Sequence, residues 1–233
     1  MLKGERIMQN DIKLIAKTAA IIVAFFFTIA VAIMLPAGTL SYWQGWVCLA
    51  SFCTPTLAIT IYLGKRDPAL LERRVNPTEM RTQQRIMQSI AGLLFFIGLL
   101  VLPGIDYRYS LSRVPTLLIL LADGIIVAGF LIVFFVFRSN TFTSRAVEVI
   151  AEQKIITSGP YGIVRHPMYS GALLIIFALP LSLDSVWGLI PAGLIAVIII
   201  ARLLDEEQLL GNELDGYTDY CQTTKWRLLP FIW

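Results

Sequence analysis

Long apolar blocks alternate along the chain with shorter polar stretches rich in arginine and lysine. The apolar blocks fall near 14–35, 43–64, 86–103, 115–137, 168–183 and 186–204. Most approach the ~20 residues that cross a ~30 Å hydrocarbon core as a helix, whereas a soluble core would show shorter stripes at helical or strand spacing. Six helical passes are therefore predicted. Only Ser182-Leu183-Asp184-Ser185 separates the last two blocks, so they form a tight helical hairpin. Its first arm is short and interrupted by Pro180, which leaves open five full spans plus a re-entrant pair. The expected fold class is all-α: a polytopic helical membrane protein with five to six transmembrane helices.

Composition narrows the class further. Of 233 residues, 57% are hydrophobic and 15% charged, and the mean hydropathy is +0.72. These values exclude an ordinary soluble globule. A transmembrane barrel needs many segments of about 10 alternating residues, and no such alternation runs through the chain. The net charge of +3 is too small to point to nucleic acid. Cys48, Cys53 and Cys221 form no CxxC pair, so they read as packing residues, with no metal site and no disulfide framework. The first block is about as long as a full span, and no small-residue cleavage site follows it. It is expected to remain as the first transmembrane helix.

Orientation follows from the basic residues, which are retained in cytoplasmic loops. Lys3, Arg6, Lys13 and Lys17 belong to the N-terminal part; Lys65, Arg66, Arg73, Arg74, Arg81 and Arg85 lie between the second and third blocks. Arg138, Arg145, Lys154 and Arg165 follow the fourth block, and Arg202, Lys225 and Arg227 the last. Of 19 lysines and arginines, Arg108 and Arg113 alone fall on the opposite side, which places both termini in the cytoplasm. Tyr42, Trp43, Trp46, Tyr107 and Tyr109 sit at block ends and read as an aromatic belt. Pro68–Arg85 reads either as a segment on the inner leaflet or as a plain topogenic loop. Asp123, within the fourth block, is either functional or a structural hydrogen-bond partner.

The chain divides into a four-helix transmembrane scaffold, 1–138, and a mixed C-terminal region, 139–233. The second part holds a dense polar constellation: Ser158–Gly171 (SGPYGIVRHPMYSG) before the hairpin and Arg202-Leu203-Leu204-Asp205-Glu206-Glu207 after it. His166 is the one histidine of the chain. Pro167 suits the first turn of a helix, so His166 is expected at the cap and Tyr169 within the first turn, with exposed backbone N–H groups, Arg165 and His166 around the helix start. The midpoint between His166 and Arg202 is Asp184. Two arms of about 18 residues, ~27 Å each, then leave and return to one membrane face and bring the polar clusters together. A soluble zwitterionic or cationic cofactor beside a lipid-like acceptor fits such a rim. The competing reading makes the arginines inside-positive anchors and the carboxylates a solvated helix end, although carboxylates at a helix C-terminus oppose its dipole.

The stretch Val147–Gly171 (VEVIAEQKIITSGPYGIVRHPMYSG), followed by Arg202-x3-Glu206-Glu207, Tyr217-x2-Tyr220 and Leu229-Pro230, resembles the C-terminal region of the isoprenylcysteine carboxyl methyltransferase and phospholipid methyltransferase superfamily. The motifs GPY, RHPxYxG and RxxxEE occur in the family's order with a helical hairpin between them. The resemblance implies an integral membrane methyltransferase that uses S-adenosylmethionine, held in a cytosolic pocket built by the hairpin and tail. It assigns Tyr161, Val164, Arg165, His166, Met168 and Tyr169 to the cofactor, Glu206 to the cofactor or to local structure, and Arg202 and Glu207 to the point where cofactor and acceptor meet. The acceptor it implies is lipid-like or prenylated, drawn from the bilayer. Around Gly216 the tail departs from the family's aromatic-containing helix.

Methyl transfer from a sulfonium is an in-line displacement, so the protein must mainly align donor and nucleophile and exclude water, which is worth up to ~7–11 kcal/mol. Carboxylates suit the cofactor's ammonium or ribose hydroxyls, and Arg165 or the helix N-terminus its carboxylate. A carboxylate acceptor needs no base at neutral pH. An amine acceptor would need one, with Glu207 or His166 as candidates. Two alternatives remain: membrane sterol and steroid reductases share an RHPxY-like segment and would bind NADPH, and a non-catalytic homologue would keep the architecture alone. Met168-Tyr169-Ser170-Gly171-Ala172 lacks the reductase pattern after the motif, and Arg202 and Glu207 are intact.

Overall fold

A computed structural model describes residues 2–75, 82–140 and 155–233, with backbone alone for 2–16 and 73–75. Arg81, Arg145, Lys154 and the Val147–Lys154 part of the family-like stretch lie outside the described residues, as do the side chains of Lys3, Arg6, Lys13, Arg73 and Arg74. Every regular element among the described residues is helical. The first half contains α1 (Leu2–Ala37), α2 (Trp43–Arg66), α3 (Pro68–Val75), α4 (Thr82–Leu93), α5 (Leu102–Tyr109) and α6 (Thr116–Ser139). A π-helical stretch, Leu94–Val101, joins α4 and α5 into one continuous helix. A 3-10 turn over Gly159–Gly162 then leads to α7 (Pro167–Ser182), α8 (Leu189–Glu213) and α9 (Tyr217–Thr223).

Among the described residues, four helices are long and apolar enough to cross a membrane: Lys17–Ala37, Trp43–Arg66, Thr82–Tyr109 and Thr116–Ser139. They coincide with the first four apolar blocks. The third begins earlier than its block because Thr82-Gln83-Gln84-Arg85 are already helical. The basic segment between the second and third blocks is partly helical. Asp67 ends α2, its N–H donating to the Leu63 carbonyl at 2.8 Å, and starts α3, its Oδ1 accepting the Leu70 N–H at 2.9 Å. Pro68 fills the first helical position, where no N–H is required. Leu70 and Leu71 are buried against Ile59 and Leu63, so α3 is packed on α2.

Asp184 lies in the turn between α7 and α8, at φ +55°. That turn is buried rather than exposed. Asp184 accepts the Val114 N–H at 2.6 Å, the Gln44 amide at 3.3 Å and the Arg113 guanidinium at 3.4 Å. Asp106, fully buried, accepts the Ser112 N–H and hydroxyl at 2.7 and 2.6 Å and the Ser185 hydroxyl at 2.6 Å. Tyr42 donates to the Leu183 carbonyl and stacks on Tyr107, ring centroids 4.1 Å apart. The hairpin tip therefore meets the turns that follow α1 and α5. Trp43, Trp46 and Tyr109 are exposed as belt residues should be, but Tyr42 is buried and belongs to this knot, because its hydroxyl finds a main-chain acceptor that no local pattern reveals.

Two glycines set the seam between α6 and α7. A Cβ on Gly129 would stand 2.8 Å from the Gly171 carbonyl, and one on Gly171 2.8 Å from the Gly129 carbonyl. The backbones thus approach as small-residue membrane interfaces do. Asp123 is buried in α6, and its Oδ1 accepts the Ser182 hydroxyl at 2.5 Å. Because Asp106 is buried and satisfies two hydroxyls and one N–H, Asp106→Ala should lower unfolding stability in detergent by about 2–4 kcal/mol, and Asp106→Asn by less. Equal midpoints for Asp106→Ala and the wild type in thermal unfolding would contradict this role.

Candidate active site

The polar site is built at the opposite end of the hairpin. Gly159 opens the 3-10 turn at φ +62°, and a Cβ there would meet the Ser139 hydroxyl at 2.5 Å, which accounts for glycine in the GPY motif. Tyr161 follows, its hydroxyl accepting from Asn140 at 3.0 Å and its carbonyl from the Tyr220 hydroxyl at 2.8 Å. The turn is clamped between the end of α6 and α9. Val164 is buried, and Met168 is half-buried in the first turn of α7.

His166 is the N-cap residue of α7 and Pro167 its first residue, as the sequence predicts. The backbone N–H groups just before the helix are not exposed. Arg165 N–H donates to the Trp226 carbonyl at 2.8 Å and His166 N–H to the Arg227 carbonyl at 2.9 Å. The C-terminal segment thus pairs with the backbone of the two residues that precede the helix. Side chains remain directed at one point. The Glu207 Oε1 lies 2.9 Å from the Arg165 guanidinium and 3.2 Å from His166 Nε2, and Oε2 accepts from Arg227 Nε at 2.8 Å.

The neighbouring carboxylates point elsewhere. Glu206 accepts the Tyr169 hydroxyl at 2.8 Å, and that phenol also faces Arg202. Asp205 accepts from the buried Gln84 amide, which fixes α8 to α4. The structure therefore divides the expected residues between two adjoining groups: Arg165, His166 and Glu207 in one, Tyr169, Arg202 and Glu206 in the other. Tyr161, Val164 and Met168 lie on the segment that leads into them. Tyr217, at the start of α9, faces the first group. Gly216 precedes it at φ +81°, so the glycine that breaks the family pattern starts the helix carrying Tyr217 and Tyr220.

The sequence marks Arg227 only as an inside-positive residue and Tyr217 only as a motif tyrosine. Neither the +1 charge nor the position of Arg227 reveals a partner 20 residues upstream. Its proximity to Leu229-Pro230 is the one available signal.

Electrostatics give Glu207 a definite state. Burial raises its pKa, but hydrogen bonds from His166 and Arg227 and the charges of His166 and Arg165 outweigh this and hold it at about 2. Glu207 is an ionised anchor and a poor base at neutral pH. Burial, then the nearby Glu207, pushes the Tyr217 phenol well above its ordinary value, which keeps it a neutral donor. Among the described residues, neither the Tyr217 hydroxyl nor the Arg165 Nε–H has a hydrogen-bond partner, and both are buried. Two unsatisfied donors beside an anionic anchor are consistent with a polar ligand site.

Residues 117–213 match the family model described as phospholipid methyltransferase. The span runs from α6 through the hairpin to the end of α8, and over it the family read from the GPY, RHPxYxG and RxxxEE motifs is borne out. That family implies a methyltransferase acting on lipid-like substrates. No curated protein matches the chain.

The depressed pKa of Glu207 has a stability consequence. Its folded value lies below the ordinary 4.5, so its contribution is complete above about pH 4.5 and is lost as pH falls towards 2. Between pH 6 and 3 the wild type should lose about 2 kcal/mol more than Glu207→Gln, at about 1.4 kcal/mol per pKa unit. Unfolding midpoints measured between pH 6 and 3 in detergent check this; parallel profiles for both proteins would contradict it.

Proposed function

We propose that the protein is an integral membrane methyltransferase that uses S-adenosylmethionine to methylate a lipid-like or prenylated acceptor, carboxylate or amine, at the cytosolic membrane face. The observation that carries this reading is the convergence of Arg165 and His166 from the start of α7 with Arg202, Glu206 and Glu207 from α8, inside the span that matches the methyltransferase family. The distribution of lysine and arginine supports cytoplasmic termini, and with them a cytosolic site.

The donor set suits the cofactor. Arg165, with its unpartnered Nε–H, is placed for a carboxylate, and the Tyr217 hydroxyl for a polar edge. Glu206 suits an ammonium or ribose hydroxyls, while Tyr161, Val164, His166, Met168 and Tyr169 would form the wall. When bound, the cofactor supplies a methyl group on a sulfonium, already activated for displacement. The residues of the chain then bind, orient and exclude water. Arg202 orients an anionic acceptor. Glu207 holds Arg165 and His166 in place and would supply negative charge to a cationic cofactor bound beside them.

The state of Glu207 bears on the acceptor. With its pKa at about 2, Glu207 takes no proton from an ammonium at neutral pH. A carboxylate acceptor needs no such transfer. An amine acceptor would pass its proton to His166 or to water.

Replacing Arg202 by Ala or Glu207 by Gln should reduce transfer of a labelled methyl group into membrane lipid extracts at least about 100-fold, a loss of roughly 3 kcal/mol in transition-state stabilisation. Both variants should remain folded in detergent. Full activity in the two folded variants would overturn the assignment.

A further inference from the structure

We propose that the segment Thr224–Trp233 is an interfacial anchor, seated at the boundary between headgroups and acyl chains, that holds Arg227 on Glu207 while the protein is in a bilayer. The inference starts from three side chains the site does not use. Phe231 is 85% exposed, Ile232 74% and Leu229 50%. They form an apolar cluster within four residues, flanked by Lys225, Arg227 and the indoles of Trp226 and Trp233. Cations and indoles beside an apolar tip is the composition of a membrane-interface segment.

The segment has a fixed shape. The N–H groups of Arg227, Leu228 and Leu229 all donate to the Trp233 main-chain oxygen, at 2.9, 2.9 and 3.1 Å. Phe231 takes φ +66°, a left-handed conformation that an aromatic residue adopts only when its surroundings impose it. The turn therefore presents its apolar side chains outward in a defined arrangement.

Its place along the helix identifies what covers it. The Ser170 hydroxyl donates to the Leu228 carbonyl at 2.6 Å, which docks the segment on the first turn of α7. Ser170, Leu174 and Phe177 share one helix face by their i, i+4, i+7 spacing, and Leu174 and Phe177 are exposed. The segment sits at the polar end of a face that turns apolar toward the hairpin tip. In a membrane protein, the surface continuous with such a face is lipid.

Arg227 couples this surface to the site. Its guanidinium lies over the Trp233 ring, 5.1 Å from the centroid, and its Nε bonds Glu207. Displacing the turn withdraws a partner of Glu207, so membrane contact and site geometry are linked.

The full chain, with Cys48, Cys53 and Cys221 replaced by alanine and a nitroxide attached at Phe231→Cys or Lys225→Cys, is reconstituted in phosphatidylcholine vesicles. The label at 231 should be relaxed at least about threefold more by oxygen than by a water-soluble nickel chelate, and the label at 225 less so. Greater nickel access at 231, or dipolar broadening between labels on two copies, overturns the proposal. The chain with its natural cysteines provides a second reading. Trp233→Phe should reduce tryptophan quenching by lipids brominated close to the headgroup, and unchanged quenching also overturns it.

Discussion

The Glu207 carboxylate meets Arg165, His166 and Arg227, and so ties the start of α7, the end of α8 and the C-terminal segment to one point. A buried anion is costly unless it is paired and hydrogen-bonded, and here both oxygens are occupied. Removing any one partner leaves the others facing an incompletely compensated charge. The same engagement explains why His166 sits at the cap beside Arg165: the cap position projects both side chains back toward α8. It also defines Glu207 as an electrostatic anchor whose proton is absent throughout the neutral range.

The anchor can form only if the hairpin is in register, and the far end of the hairpin supplies that register. Asp184 and Asp106 hold the buried tip against the turns after α1 and α5, while Gly129 and Gly171 allow α6 and α7 to meet backbone to backbone. With one end fixed by aspartates and the other by Glu207, α7 and α8 behave as a pair of struts. A reaction that depends on alignment more than on proton transfer gains directly from such rigidity. The Asp205 contact with Gln84 extends the brace to α4.

Local pattern revealed the parts of the molecule that local pattern determines. Apolar block length gave the four long helices, and the spacing from His166 to Arg202 placed Asp184 in the turn, where it is found. Pro167 marked the start of α7 and His166 its cap. Contacts between distant segments were not legible. Tyr42 looked like a belt residue, but its acceptor lies 141 residues away, and Gln84 meets Asp205 across 121. The return of the chain from Trp226 and Arg227 to the N–H groups of Arg165 and His166 is likewise invisible in local pattern. Arg227 itself carried no sign of a site role beyond its charge.

The central claim is that this polar end receives the methyl donor. The direct measurement is calorimetric titration of the full, detergent-solubilised chain with S-adenosylmethionine and, separately, with NADPH. Saturable binding of S-adenosylmethionine near one equivalent, with no heat from NADPH, is the predicted result. Binding of NADPH without S-adenosylmethionine, or of neither, would contradict it.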